Sequence, residues 1–257
     1  MIKMIILDLD KTLLNDNGVI TDYSKCIINQ CRNLGLRIII ATARSLTALR
    51  YAIGELIVDA MICNNGAQII AQSYNINEFI EHKNVVLLLN KLVNDKNVGI
   101  IKVTAKNGEY SNINNIEKHG VKYIYNDFVK QEVFNVYKIM IETSNNFSIK
   151  EYQRIYNCSI QRIRGGNKFL LTSNKINKLY AIENIVKHFN LSIHETLAFG
   201  DDINDMQMLQ NCGVGVATSN SSETIMEIAD FVCDSNQNDG VAKWIEENLI
   251  RHKLKHN

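Results

Sequence analysis

The chain contains no proline. No turn can therefore be set by a locked φ, and Gly, Asn and Asp must make the turns instead. The absence, together with an abundance of Asn and Ile, reads as genomic composition bias rather than a mark of function. Net charge is nearly lacking too, since 28 Lys and Arg against 27 Asp and Glu leave +1. That gives no general pull toward nucleic acid or an anionic membrane. The basic end Arg251-His252-Lys253-Leu254-Lys255-His256 reads as a frayed terminus rather than a binding arm. No apolar run is long enough to span a bilayer. The start has no small-residue cleavage site of a signal peptide, and Asp8 and Asp10 interrupt its apolar run. Six cysteines occur without a Cys-x-x-Cys pair. Cys63, Cys212 and Cys233 lie in or beside apolar segments and read as buried thiols, so a reducing cytoplasm fits better than secretion.

What is present is a chain of 257 residues, 46% hydrophobic, enough for one large core and a smaller module. Apolar strands are expected at Met4–Leu7, Arg37–Ala41, Ala60–Cys63, Leu197–Phe199, Gly213–Val216 and Phe231–Cys233. Ile27, Ile28, Cys31 and Leu34 recur at helical spacing, with Gly35 as the stop. Leu179, Ile182, Ile185, Val186 and Phe189 mark another amphipathic helix, opened by Lys178. Alternating strands and helices imply a parallel sheet with right-handed crossovers. Leu13 to Ile20 reads as a hairpin turning at Asn17-Gly18. Gly213-Val214-Gly215 lacks the fuller glycine pattern of a dinucleotide loop and reads as a turn before a strand.

The middle differs. Helices are expected at Val85–Val93 and near Lys150–Tyr156, with strands at Val98–Val103, Val136–Ile141, Ser159–Arg164 and Lys168–Leu171. This is a strand-rich α+β module inserted into an α/β frame. The boundaries are placed so that 1–80 and 175–257 form the core and 81–174 the insert.

The first strand ends in Asp8 and Asp10, followed by Thr12. Strand alternation would put both carboxylates on one face, where repulsion and desolvation penalise them unless a cation or a reaction needs them. Far along the chain, Leu197-Ala198-Phe199-Gly200-Asp201-Asp202-Ile203-Asn204-Asp205 is again an apolar strand spilling into acids. The carboxyl ends of parallel strands share one sheet edge, where ligands bind. Asp8, Asp10, Asp201 and Asp205 would then converge, and four carboxylates call for a hard divalent cation, most plausibly Mg²⁺. Thr42 ends a third strand before Ala43 and Arg44, and Ser45 reads as the next helix N-cap, a setting suited to phosphate. Lys178 taken alone reads as a solvated lysine at a helix start.

In this order the four pieces resemble the haloacid dehalogenase superfamily of phosphotransferases. Asp8-Leu9-Asp10-Lys11-Thr12 resembles its first motif, Thr42 its second, Lys178 its third, and Gly200 to Asp205 its fourth. Asn64-Asn65-Gly66-Ala67, the Asn220 region and Asn238-Asp239-Gly240-Val241 resemble the Cof-type subfamily with its IIB cap. Two residues depart from the pattern. Lys11 stands where the family usually has Gly, placing an extra cation near the site, and Ala43 stands where it has the Gly of Thr-Gly-Arg.

The resemblance implies a Rossmann-like α/β core carrying an inserted α+β cap, and phosphomonoester hydrolysis through an aspartyl-phosphate. Asp8 would be the nucleophile and Asp10 the general acid, then base. Mg²⁺ would be held by Asp8, the backbone oxygen of Asp10, and Asp201, with Asp205 acting through water or as an orienter. Thr42, Lys178, Asn204 and the amides of Leu9 and Ala43 would hold the phosphoryl oxygens. Asp202 would orient the acidic loop or face solvent, and Arg44 would touch substrate or pair with an acid. Arg162, Arg164 and Lys168 are candidate anion ligands in the cap, although a solvated strand face also accounts for them; Tyr110, Tyr123 and Tyr125 are candidates for stacking on a sugar. The expected partner is a small phosphorylated metabolite such as a sugar phosphate, with no nucleic acid and no membrane, acted on by a monomer or weak homodimer in the cytoplasm. A phosphomutase with the same intermediate, and a non-catalytic binder of phosphorylated ligands, stay open as alternatives at this point.

Overall fold

The computed structural model describes residues 1–152, 158–163 and 166–251. They divide into two compact units, one formed by Met1–Asn75 with Asn177–Asn257 and the other by Ile76–Ile176.

The first unit begins with β1 (Met4–Leu7), α1 (Asp22–Asn33), β2 (Arg37–Ala41), α2 (Leu46–Ile53), β3 (Ala60–Cys63), β4 (Gln68–Ala71) and β5 (Tyr74–Asn77). All four residues of β1 are buried, as a strand covered on both faces requires. Thr21 caps α1 by accepting from the Ser24 N–H, and Gly35 follows the helix with φ 79°. Ser45 caps α2 in the same way through the Ala48 N–H.

The second unit contains α3 (His82–Asn94), then β6 (Val98–Ala105), β7 (Gly108–Ser111), β8 (Glu117–Lys118), β9 (Val121–Lys122), β10 (Ile124–Tyr125), β11 (Val136–Thr143), β12 (Cys158–Arg162) and β13 (Lys168–Ser173). Six of these form a sheet in the order β10-β7-β6-β11-β13-β12, while β8 pairs with β9. Val85, Leu88, Leu89 and Leu92 of α3 share a core with Ile101, Val103, Ile139, Ile141, Phe169 and Leu171. Most of the helix expected near Lys150–Tyr156 and the end of the strand expected at Ser159–Arg164 lie outside the described residues.

The chain returns to the first unit through α4 (Lys178–His188), β14 (Thr196–Gly200), α5 (Met206–Asn211), β15 (Val214–Thr218), α6 (Glu223–Ile228), β16 (Phe231–Cys233) and α7 (Gly240–Ile245). The large sheet runs β16-β15-β14-β1-β2-β3-β4-β5. It is parallel from β16 to β3, and β4 turns back antiparallel on β3. Ile5 and Leu7 pack with Ile27, Ile28 and Cys31 of α1 and with Val241 and Ile245 of α7. Met4 and Ile6 point to the opposite face by alternation. The second helical layer comes from α4, which packs on β3, and α5, which packs on β14 and β15.

The expected hairpin after Leu13 is not a hairpin. Its turn exists and is closed by the Asn15 N–H donating to the Val19 carbonyl at 3.1 Å, but no ladder extends from it: the Asn15 Oδ1 accepts from the N–H groups of Asn17 at 3.0 Å and Val19 at 3.1 Å. An Asn side chain that mimics a backbone turn competes with strand pairing here.

Candidate active site

Four neighbouring parallel strands, β14, β1, β2 and β3, end at one sheet edge and deliver Asp201, Asp8, Thr42 and Asn64. The register sets β1 Leu7 beside both Phe199 of β14 and Ile40 of β2. The Asp8 N–H extends this ladder to the Phe199 carbonyl at 3.1 Å.

Carboxylate oxygens of Asp8, Asp201 and Asp205 lie within 4.8 Å of one another. Lys178, which read alone as a solvated lysine but which the resemblance placed among the phosphate-holding residues, is 1% exposed. Its Nζ donates to Asp8 Oδ1 and Asp205 Oδ1 at 2.5 Å each. Thr12 donates its hydroxyl to Asp201 Oδ1 at 3.1 Å and so fixes that carboxylate. Asp205 has its other oxygen taken by the N–H groups of Asp201 at 3.0 Å and Asp202 at 3.1 Å. Asp205 therefore organises the acidic loop as well as facing Lys178. Asp202 caps the same short turn by accepting from the Ile203 N–H at 2.8 Å. Gly200 makes this packing possible, since a Cβ there would lie 2.5 Å from the Asp205 Cβ.

Burial pushes the Asp8 carboxyl well above its ordinary range; Lys178 opposes this, while Asp205 and Asp201 add to it. For Lys178, burial works against the charge, but Asp205 and Asp8 more than offset it and hold the ammonium protonated. Two carboxylates face Lys178 and make it the charged partner. With all three carboxylates ionised, the Lys178 ammonium leaves an excess of two negative charges in a buried place. A divalent cation would bring it to zero, so the donor set fits a hard metal ion with oxygen ligands.

Asp10 stands apart from the expected convergence of four carboxylates. The strand ends at Leu7, so strand alternation does not carry on to Asp10. Its side chain meets Arg44 instead, whose Nε donates to Asp10 Oδ2 at 2.9 Å and whose Nη2 donates to Oδ1 at 2.7 Å. This planar two-point contact is one a lysine cannot copy. Thr42 is buried, and its Oγ1 accepts from the Arg44 N–H at 3.1 Å. A hydroxyl that accepts there can still donate its own proton. Asn204 is half-buried, with its Nδ2 3.4 Å from Asn65 Oδ1. Leu9 is buried, and Ala43 lies between Thr42 and Arg44 in the loop after β2.

Lys11 adopts φ 67° and spends its charge on Asp16. That pairing, helped by Asn236, draws the Asp16 carboxyl down to about 2. In the second unit, the Arg162 guanidinium lies 5.4 Å from the centre of the Phe169 ring, and Lys168 pairs with Glu142 at 3.3 Å. Arg164 falls outside the described residues. Tyr123 lies under Lys102 at 5.6 Å, and Tyr125 is exposed. Pairing with an acid was one of the two uses expected of Arg44; that the acid is Asp10 was not readable, because the two lie in separate loops.

The sequence matches the model of the haloacid dehalogenase-like hydrolases over residues 5–245. The chain belongs to that family, in its Cof-type branch, and is a phosphoric monoester hydrolase. It is similar to a 5-amino-6-(5-phospho-D-ribitylamino)uracil phosphatase of Bacillus subtilis, YcsE, at 29% identity over 95% of this chain and 94% of that protein. Its fold is similar to that of a haloacid dehalogenase-like hydrolase from B. subtilis, with TM-score 0.84 and 24% identity over 96% of this chain and 100% of that one. A sugar phosphatase of HAD subclass IIB superposes with TM-score 0.81 at 22% identity, over 95% of this chain and 98% of that one. Among the described residues, no helix is long and apolar enough to cross a membrane.

Proposed function

We propose that the chain is a Mg²⁺-dependent phosphatase of small phosphorylated metabolites, sugar or sugar-alcohol phosphates, working through an aspartyl-phosphate on Asp8. The observation that carries this reading is the buried Asp8 at a strand end, held by Lys178 beside Asp201 and Asp205. The YcsE relative acts on a phosphorylated ribityl chain, which supports a polyol-type phosphate ester.

In the first step an Asp8 oxygen bonds to phosphorus while the ester P–O bond breaks, and Asp10 gives its proton to the departing alkoxide. Asp10 must first leave its fork with Arg44, since it cannot aim both oxygens at the guanidinium and donate to the leaving oxygen. In the second step water attacks phosphorus, Asp10 takes its proton, and the Asp8–phosphorus bond breaks to restore the carboxylate. Asp8, Asp201 and the Asp10 carbonyl would hold the magnesium ion, which supplies the positive charge that keeps Asp8 ionised and neutralises phosphoryl oxygens. Thr42, Asn204 and the amides of Leu9 and Ala43 hold those oxygens, with Lys178 as the fixed cation. Residues 81–174 are proposed as the specificity module.

The test is phosphate release from a panel of sugar and polyol phosphates, alongside chemical trapping of the acyl phosphate. Asp8→Asn is expected to lose about 10³-fold or more in kcat and to yield no trapped intermediate. Turnover near that of the unaltered chain would remove Asp8 from its role.

A further inference from the structure

Asn64, Asn65 and Gly66 follow β3 at the same sheet edge, and the steps above use none of them. All three have left-handed backbones, with φ of 53°, 61° and 104°. All three are buried, Asn64 at 0% and Asn65 at 1% exposure. Left-handed backbone disfavours any residue with a Cβ, and Asn tolerates it best. A buried run of this kind persists only where its surroundings over-determine it, which makes it a marker for function.

The turn grips the loop after β2 with its backbone. The Asn64 N–H donates to the Arg44 carbonyl at 2.8 Å, and the Asn65 N–H donates to the Thr42 carbonyl at 3.0 Å. Both carbonyls flanking Ala43 are thereby fixed. The Asn65 side chain reaches the other way, placing its Oδ1 3.4 Å from Asn204 Nδ2. An amide nitrogen carries two protons, so engaging one sets the plane in which the other points. Asn64 Oδ1 is buried without a hydrogen-bond partner among the described residues, which an ordinary structural turn does not need.

We propose that Asn65 is a positioning residue for the phosphoryl group. The turn holds Thr42, Ala43 and Arg44 through its backbone and Asn204 through the Asn65 side chain, so that donors from two distant loops meet one anion. This rests on the reading of Thr42 and Asn204 as phosphate holders given above. Asn65 itself touches no reacting atom.

Asn65→Gly tests it, because glycine adopts a left-handed backbone freely and only the side chain is lost. The probe is competitive inhibition by inorganic phosphate. Asn65→Gly is expected to weaken inhibition about 10-fold, because Asn204, no longer held, loses its hydrogen bond to the charged phosphate, with Tm near that of the unaltered chain. Asn204→Ala should lose a similar factor, and the double variant no more than Asn204→Ala alone. A merely structural turn would lower Tm and leave that coupling absent. Unchanged phosphate inhibition in Asn65→Gly, with Asn204→Ala impaired, overturns the inference and leaves the function intact. No effect from Asn204→Ala removes the phosphate role of Asn204, and the inference with it. Should Asn65→Gly not fold, proton exchange at Asn204 Nδ2 in the unaltered chain decides. One protected proton of the pair supports the hold by Asn65, and two freely exchanging protons overturn it.

Discussion

A single ammonium cannot balance the three carboxylates around it, and this gives the site a measurable pH signature. Asp8 is held above its ordinary range, so the folded chain binds its proton more tightly than the unfolded chain does. Folding stability contributed by that proton is present at low pH and is lost as pH rises through the folded value. Metal-free protein is therefore expected to have a higher Tm near pH 5 than near pH 8, with saturating Mg²⁺ erasing the difference; a thermal melt series with and without chelator measures it. Asp8, Asp201 and Asp205 were legible as acids ending apolar strands. The place of Asp10 was not, because strand geometry stops at Leu7 and a tertiary partner then decides the side chain. Nor was the burial of Lys178, since helix spacing places a residue on a helix but not what packs over its first turn.

At the scale of elements, the core strands were legible because each is a continuous apolar run bounded by turn residues. The turn at Asn15 was misread because alternating apolar residues signal a hairpin, whereas a side-chain oxygen had already taken the N–H groups a ladder would use. Gly213-Val214-Gly215 shows what glycine does when it is not a nucleotide loop. A Cβ on Gly215, in β15, would lie 2.0 Å from the Leu209 carbonyl oxygen of α5. The helix thus approaches the strand backbone directly, and backbone cannot yield as a side-chain tip does. Gly215→Ala is expected to cost about 4 kcal/mol or more, or to prevent folding, as read by chemical denaturation. Because α5 follows the acidic loop, a milder phenotype should show itself as weakened metal binding.

At the scale of the molecule, activity should depend on the divalent cation proposed for the acid cluster. Chelation is expected to abolish phosphate release and Mg²⁺ to restore it; release indifferent to a chelator would refute the metal assignment. The change from α/β to strand-rich composition suggested boundaries at 80/81 and 174/175; the compact units meet at Asn75/Ile76 and Ile176/Asn177. Composition changes gradually where a linker leaves a sheet edge, so contacts locate the division more finely than residue types. The strand order carries one more consequence. Strand β1 lies between β2 and β14, and β14 begins only at Thr196. During synthesis the ribosome must therefore make the whole of 76–176 before the sheet can close beside Asp8. Asp8 emerges early, Lys178 and the remaining acids late, and a nascent chain halted before residue 196 would expose one apolar flank of β1 to chaperones.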